Sequence, residues 1–304
     1  MAIGSGHGAS HGASHGASHG ASHGASSGGL NISVGPGAGS VLPVTRPLDD
    51  DVTFLRVTDG FGERNVQASL WAMTIMPTLM AEIKMDDPAF GAIVVEPHLV
   101  TEDGIGLTAN DELRYVLANR MANLREYGAE IVDQAGAFDH YFQHVLSISP
   151  ATHPQTARLI ATAIHFAGYV GMHWKLVHMR ARPAQVCPGV LPMIPTPPHP
   201  SYPSNHSVQA FAAAKLLVLA RDETDDATVS RYLLALAERI AINRERAGVH
   251  FRSDTIIGTK LGKEVAKKLA TTDPVRRLMA GAKAELSNLV GTTTQVGEND
   301  ESLP

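Results

Sequence analysis

Three cationic side chains stand where two helical patterns of apolar or small residues end. One apolar stripe, which begins at Val229 and repeats with helical spacing, leads to Arg244. A second face of Ala, Ile and Gly ends on Lys175, and Arg182 follows seven residues, or two helical turns, later. A buried cation is costly unless it meets an anion, so these residues predict a site for a phosphate-like oxyanion. There are structural alternatives. Arg244 could form a buried ion pair, and Lys175 and Arg182 could be solvated side chains whose positive charges interact favourably with the dipole at a helix C-terminus.

A stiff, proline-rich stretch from Pro195 to Pro203 lies between these cations. It leads into a predicted helix that Ser204 can cap with its hydroxyl. The amides of Asn205 and His206 then belong to the first turn, where N–H groups have no intrahelical partner and bind anions. A proline-rich ligand for an aromatic groove is the alternative, but this stretch lies between two helices rather than in a tail.

His250 follows Gly248 in a predicted turn, and Asp254 comes four residues later at the start of the next helix. A carboxylate at this distance can accept the hydrogen of one imidazole nitrogen and leave the other nitrogen as a ligand or nucleophile. A His–Asp pair of this kind is also common as a purely structural pair.

Together these segments resemble the three-part signature of type 2 phosphatidic acid phosphatases and vanadium-dependent haloperoxidases. That signature is Lys-x6-Arg-Pro, then Pro-Ser-Gly-His, then Ser-Arg-x5-His-x3-Asp. The matching segments here are KLVHMRARP at 175–183, PSNH at 203–206 and NRERAGVHFRSD at 243–254. Two positions depart from it, since Asn205 replaces the glycine and Asn243 replaces the serine. The amide of Asn205 still serves an oxyanion, while its side chain is expected to narrow the pocket.

The resemblance implies an oxyanion-binding set and a fold. Lys175, Arg182 and Arg244 would neutralise a vanadate or phosphate, and Ser204 with the Asn205 amide would complete its hydrogen bonds. Such a set suits charge that develops on equatorial oxygens. The implied fold is a mostly α, single-domain helical bundle of the acid phosphatase and vanadium haloperoxidase type.

The resemblance also implies catalytic roles. His250 would bond to the central atom of the oxyanion, and so be the vanadium ligand, with Asp254 orienting it. His206 would act as acid or base on the opposite side, and Lys175 would polarise the peroxide. His199, in the proline-rich stretch, stands where bromoperoxidases of the family also carry histidine, which suggests a halide or substrate pocket.

The same residues serve two reactions. In a phosphatase, His250 attacks the phosphorus of a phosphate monoester, and His206 protonates the leaving oxygen and then activates water. In a haloperoxidase, vanadate is the cofactor, hydrogen peroxide and halide are the substrates, and phosphate is an inhibitor. Three features favour the haloperoxidase, with bromide as the halide: no membrane span, no secretion signal, and the proline-rich stretch with His199. A phosphatase is the alternative, and a non-catalytic oxyanion-binding protein, which only Asn205 favours, is the third hypothesis.

Helical periodicity dominates the chain after the first third. The pattern predicts helices at 68–83, 113–127, 130–146, 155–181, 204–220, 225–247, 253–269 and 274–289, and short extended pieces at 52–57 and 92–95. Residues 1–40, in which His-Gly-Ala-Ser repeats five times from His7 to Ser26, predict a low-complexity, disordered leader. We expect a helical catalytic domain at 41–290 and a polar tail at 291–304.

Composition excludes several functional classes. A net charge of −5 without a basic stripe argues against nucleic acid as a partner. A lone cysteine, Cys187, excludes an intrachain disulfide. No apolar stretch reaches the roughly 18 residues of a membrane span, and no signal peptide is recognised. We therefore expect a cytoplasmic or otherwise soluble protein, and the sequence leaves open whether it forms a homo-oligomer.

Overall fold

The computed structural model describes residues 66–102, 105–122, 124–224 and 227–287. Helices make up most of these residues, and a single short antiparallel strand pair is found among them. In chain order the elements are α1 (Ala68–Glu82), α2 (Pro88–Gly91), β1 (Thr101–Glu102), β2 (Ile105–Gly106), α3 (Ala109–Ala122), α4 (Leu124–Gly136), α5 (Asp139–Val145), α6 (Pro154–His178), α7 (Pro183–Val186), α8 (Asn205–Ala220), α9 (Thr228–Arg246), α10 (Arg252–Thr271) and α11 (Asp273–Leu286).

Helix α8 is the centre of the bundle. It is buried along almost its whole length and packs against α6, α9 and α10. Most of its residues are apolar or small, which is the pattern of a helix surrounded by other helices. Ser204 is its N-cap, as the sequence predicts, and the Ser204 side chain accepts a hydrogen bond from the backbone N–H of Ser207.

Two glycines let α10 approach the first turns of α8. A Cβ at Gly262 would lie 2.4 Å from the backbone oxygen of Val208, and one at Gly258 would lie 2.8 Å from that of Ser204. Neither position therefore tolerates a side chain without a backbone shift. This close packing brings the start of α10, with Asp254, beside the start of α8, where the N–H of Ser204 donates to the backbone oxygen of Asp254 at 3.0 Å.

The mostly α, single-domain bundle predicted from the sequence is confirmed. Within the described residues no helix is long and apolar enough to cross a membrane. The expected domain limits at 41 and 290, and the extended piece at 52–57, lie outside the described residues.

Three predictions of local structure are wrong. The region predicted as two helices at 113–127 and 130–146 forms α3, α4 and α5, because the chain turns after Gly136 to bury Phe138 in the core. The helix predicted at 155–181 ends at His178, where Met179 adopts a left-handed conformation with φ of 47°. Residues 92–95 form a turn that continues α2, in which the N–H of Val94 bonds back to the oxygen of Phe90 rather than to a second strand.

Candidate active site

A cavity of about 470 Å³ lies at the N-terminus of α8. Its wall is formed by Val132, Asp133, Ala135, Gly136, Ile194, Pro195, Pro197, His199, Asn205, His206, Arg244, Val249 and His250. Five of the residues singled out from the sequence are therefore in the wall, namely His199, Asn205, His206, Arg244 and His250. The other four, Lys175, Arg182, Ser204 and Asp254, are buried and are not part of the wall.

His250 is held by the carboxylate of Asp254. Its Nδ1 lies 2.9 Å from Asp254 Oδ2, and the same oxygen accepts hydrogen bonds from the backbone N–H of Phe251 at 3.0 Å and from the Ser201 hydroxyl. Burial alone would raise the pKa of Asp254, but Arg180, His250 and Ser201 outweigh it and hold that pKa well below its usual range. Asp254 is therefore ionised at neutral pH and accepts the Nδ1 hydrogen of the imidazole.

Arg182 contacts the other nitrogen of the same ring. Its Nη1 lies 3.0 Å from His250 Nε2 and also donates to the backbone oxygen of Val249 at 2.8 Å. A guanidinium can only donate, so His250 Nε2 is the acceptor and carries a lone pair. Burial lowers the pKa of Arg182 to about 10, which leaves the side chain charged at neutral pH.

Arg182 also binds His199, the histidine of the proline-rich stretch. Its Nε donates to the His199 backbone oxygen at 3.0 Å, and its Nη2 lies 3.0 Å from His199 Nδ1. Burial, with the nearby charges of Lys175 and Arg182, lowers the pKa of His199 to about 3. The imidazole in the cavity wall is therefore neutral over the physiological pH range.

Lys175 anchors the loop behind the cavity. Its Nζ donates to the backbone oxygens of Pro200 and Ser201, both at 2.8 Å. These bonds use two of its three N–H donors. Burial, followed by repulsion from Arg182, lowers the pKa of Lys175 well below its usual value, whereas Asp254 opposes that shift.

Arg244 is a buried cation whose hydrogen bonds are incomplete. Its Nη2 donates to the backbone oxygen of Ile131 at 2.9 Å and lies 3.5 Å from Gln134 Oε1. Its Nε and Nη1 have no partner among the described residues, and the residue is only 1% exposed, so water does not reach them readily. Burial lowers its pKa to about 10, so it remains charged. Buried donors of this kind are costly unless a ligand accepts from them, and an anion satisfies both the charge and the N–H groups.

His206 lies in the first turn of α8 and is held through one ring nitrogen. Its Nε2 is 2.9 Å from the backbone oxygen of Gln134, and its ring packs against Phe138. Since a carbonyl oxygen can only accept, Nε2 carries the hydrogen and Nδ1 keeps a lone pair. Burial and then the charge of Arg244 lower the pKa of His206 well below its usual value, so the ring is neutral and able to act as a base.

The side chain of Asn205 occupies space between α6 and α8. Its Nδ2 donates to the backbone oxygen of Gly168 at 3.4 Å. A Cβ at Gly171 would lie only 2.0 Å from Asn205 Oδ1. The asparagine that departs from the family signature is thus accommodated by a glycine on the neighbouring helix.

Comparison with known families identifies this region. A family model described as the PAP2 superfamily matches residues 150–270. That segment matches the PAP2 superfamily. All nine residues singled out from the sequence lie within the matched segment.

Solved structures that are similar to this chain include two of known description. One is the first bacterial vanadium-dependent iodoperoxidase, with 20% identity, a TM-score of 0.45, and coverage of 63% of this chain and 54% of that one, about half its length. Another is a transmembrane PAP2-type phosphatidylglycerolphosphate phosphatase from Bacillus subtilis, with 17% identity, a TM-score of 0.31, and coverage of 66% of this chain and 92% of that one. No curated protein matches the chain.

Sequence reasoning missed several residues that support the site, among them Ser201, Arg180, Gln134 and Glu112. Arg180 lies inside the first signature segment and donates a hydrogen bond to Asp254. Because other basic residues surround it in the sequence, its spacing did not single it out. Gln134 of α4 holds His206, and Glu112 of α3 holds Arg180. No local signal marks Gln134 or Glu112. Each is one of many polar residues on its helix, and it is buried only because helices distant in sequence pack against it.

Proposed function

We propose that the chain is a vanadate-dependent haloperoxidase that oxidises halide, bromide above all, with hydrogen peroxide. The observation that carries this proposal is that one cavity is lined by both Arg244, whose buried Nε and Nη1 have no partner in the part of the chain that the structure describes, and His250, whose Nε2 carries a lone pair. A tetrahedral or five-coordinate oxyanion requires hydrogen-bond donors for its oxygens and, where it is held covalently, one nitrogen ligand for its central atom.

The residues of the site fit vanadate or phosphate. His250 Nε2 would bind the central atom, and Arg244 and Arg182 would donate to its oxygens. The Ser204 hydroxyl oxygen accepts a hydrogen bond from the first turn of α8, which leaves the hydroxyl hydrogen available to the anion. The backbone amide of Asn205, in the same turn, would be a further donor. Because Arg182 donates to His250 Nε2, binding at that nitrogen requires the guanidinium to turn to an oxygen of the anion.

Vanadate, when bound, would supply a Lewis-acidic centre for the activation of peroxide. His206, neutral and with a lone pair on Nδ1, would take the proton that hydrogen peroxide gives up. The remaining N–H of Lys175 would polarise the peroxide from behind the loop. The cavity of about 470 Å³ lies within the range of small-molecule sites, which leaves room for a second substrate beside the oxyanion.

The preference for bromide rests on His199. Its ring lies in the cavity wall and is bound by Arg182, and its low pKa keeps it uncharged. A polar but neutral imidazole can orient a halide without fixing it as a charged group would. Bromide is easier to oxidise than chloride, so we expect little activity with chloride.

A phosphatase that hydrolyses phosphate monoesters is the second candidate. The specific observation in its favour is the His250–Asp254 pair, in which a neutral imidazole with its lone pair on Nε2 has the form of an activated nucleophile. His206, once it had taken up a proton on Nδ1, would then give that proton to the leaving oxygen.

One comparison separates the candidates. Protein loaded with orthovanadate is assayed for peroxide-dependent bromination of a phenol dye, and unloaded protein is assayed with a chromogenic phosphate ester. We expect bromination, weak chlorination and competitive inhibition by phosphate. Efficient ester hydrolysis without halogenation after loading would establish the phosphatase instead. Vanadate binding without either reaction would leave an oxyanion-binding protein.

A further inference from the structure

Arg180 joins two buried carboxylates next to the proposed vanadate ligand. Its Nη1 donates to Asp254 Oδ1 at 2.7 Å, and its Nη2 donates to Glu112 Oε2 at 2.6 Å. Both carboxylates are almost completely buried. Without the guanidinium between them, two negative charges would share a region shielded from water, which is strongly unfavourable.

The Glu112–Arg180 pair also fixes the first turn of α10. Glu112 Oε1 accepts a hydrogen bond from the backbone N–H of Ser253 at 2.8 Å, and Arg180 Nη1 donates to the Ser253 hydroxyl at 2.6 Å. The guanidinium lies over the ring of Phe251, with its central carbon 4.2 Å from the ring centroid. Helix α3, the loop after α6 and the start of α10 therefore meet at one arginine.

Asp254 consequently receives donors on both of its oxygens. Arg180 holds Oδ1, and His250 Nδ1, the Phe251 amide and the Ser201 hydroxyl hold Oδ2. A carboxylate bound from both sides cannot rotate about its Cβ–Cγ bond, so the acceptor for the Nδ1 hydrogen of His250 stays in one place.

We propose that Arg180, anchored by Glu112, is a positioning residue for His250, acting through Asp254 to keep the imidazole hydrogen on Nδ1 and the lone pair on Nε2. This inference rests on the proposed function in that His250 is the residue that binds the oxyanion. Arg180 itself does not line the cavity. Its effect on the oxyanion is therefore indirect, through the ring it orients.

A merely structural ion pair would behave differently from a positioning pair, and Arg221 provides the matched control. Arg221, at the C-terminal end of α8, is a largely buried arginine that pairs with Glu223 away from the cavity. Arg180→Met and Arg221→Met each remove one ion-paired guanidinium. Both are expected to lower the free energy of unfolding, but only the first is expected to alter His250.

The primary measurement is the nitrogen-15 NMR spectrum of the His250 ring in the ligand-free full chain, with orthovanadate affinity as the second measurement. In Arg180→Met we expect a mixture of ring tautomers and a loss of affinity of about tenfold, the size expected when one charge-assisted hydrogen bond is weakened. Arg221→Met should keep the parent tautomer and an affinity within about twofold. If Arg180→Met shows that same pattern, the proposal is wrong.

Glu112→Gln provides a second test if Arg180→Met does not fold. The amide keeps one acceptor for Arg180 but removes the charge that anchors it, so we expect a smaller shift in tautomer and an affinity loss of about threefold or more. Parent-like tautomer and affinity in this variant would overturn the proposal. Neither measurement needs turnover, so a failure of halogenation would count against the proposed function and leave this test intact.

Discussion

Gln134 decides which nitrogen of His206 carries the ring hydrogen. The backbone oxygen of Gln134 lies 2.9 Å from His206 Nε2, and its side-chain oxygen accepts a hydrogen bond from Asn243 Nδ2 at 2.9 Å. One residue of α4 thus ties the first turn of α8 to the end of α9. His206 is left with a neutral ring and a lone pair on Nδ1.

His206→Gln should therefore separate binding from catalysis. A glutamine amide can still donate to the Gln134 carbonyl, but it cannot accept a proton as a base. We expect kcat for peroxide-dependent bromination to fall by about 10² to 10⁴. Orthovanadate affinity should stay within about threefold of the parent.

Steady-state kinetics together with equilibrium binding of orthovanadate provide the measurement for this variant. Gln134→Ala is a useful control, because it keeps the backbone oxygen and removes only the side chain. If affinity and kcat fall together in His206→Gln, His206 holds the oxyanion rather than moving a proton.

Arg244→Met should weaken oxyanion binding without a matching loss of stability. Each lost charge-assisted hydrogen bond costs roughly 1.5–3 kcal/mol, so we expect orthovanadate affinity to fall by about one to two orders of magnitude. Two nitrogens of the guanidinium are buried without a partner among the described residues, so removal of the guanidinium should change the free energy of unfolding by less than about 1 kcal/mol.

Urea unfolding and calorimetric titration measure the two effects of Arg244→Met. Arg221→Met, which removes an arginine with a carboxylate partner, should show the opposite pattern. A stability loss of several kcal/mol with unchanged affinity would mean that Arg244 is a structural residue.

Gly171 and Asn205 should be energetically coupled. Gly171→Ala places a methyl group where Asn205 Oδ1 lies, and overpacking of this kind costs about 1–3 kcal/mol. In an Asn205→Gly background the other nearby contact, Val208 Cγ2 at 3.6 Å, is an ordinary one, so most of that cost should disappear. A double-mutant cycle on the free energy of unfolding gives the coupling, and simple additivity of the two changes would contradict the packing described here.

The free energy of unfolding should fall as the pH is lowered from 7 to 5. Burial lowers the pKa of His199, His206 and His250, so the unfolded chain takes up protons below about pH 6.5 that the folded chain does not. Stability is then present above that pH and is lost as pH falls. Each such histidine contributes about 2 kcal/mol over this interval.

Asp254 does not contribute to this pH effect. Its folded pKa is lowered, so the stability it adds is lost only below the ordinary pKa of an aspartate, outside the interval from 7 to 5. Chemical unfolding at several pH values measures the slope. His206→Gln should reduce the fall by about 2 kcal/mol, and a stability that does not change between pH 7 and 5 would show that these rings titrate normally.

The sequence by itself determined the residue types at the candidate site and their order along the chain. It also predicted the cap at Ser204 and the turn that separates His250 from α10. These features are local, because a helix cap, a proline-rich stretch and a four-residue spacing depend on neighbouring residues alone.

Only the tertiary structure decided which partners those residues contact. Arg182 was expected to share a helix face with Lys175, yet the helix ends at His178, and Arg182 meets His250 across a loop instead. Gln134 and Glu112 come from helices distant in sequence, and nothing near them in the chain shows that they are buried beside the site. The physical reason is that burial and partner choice follow from the packing of α3, α4 and α10 around α8, a long-range property that local spacing does not encode.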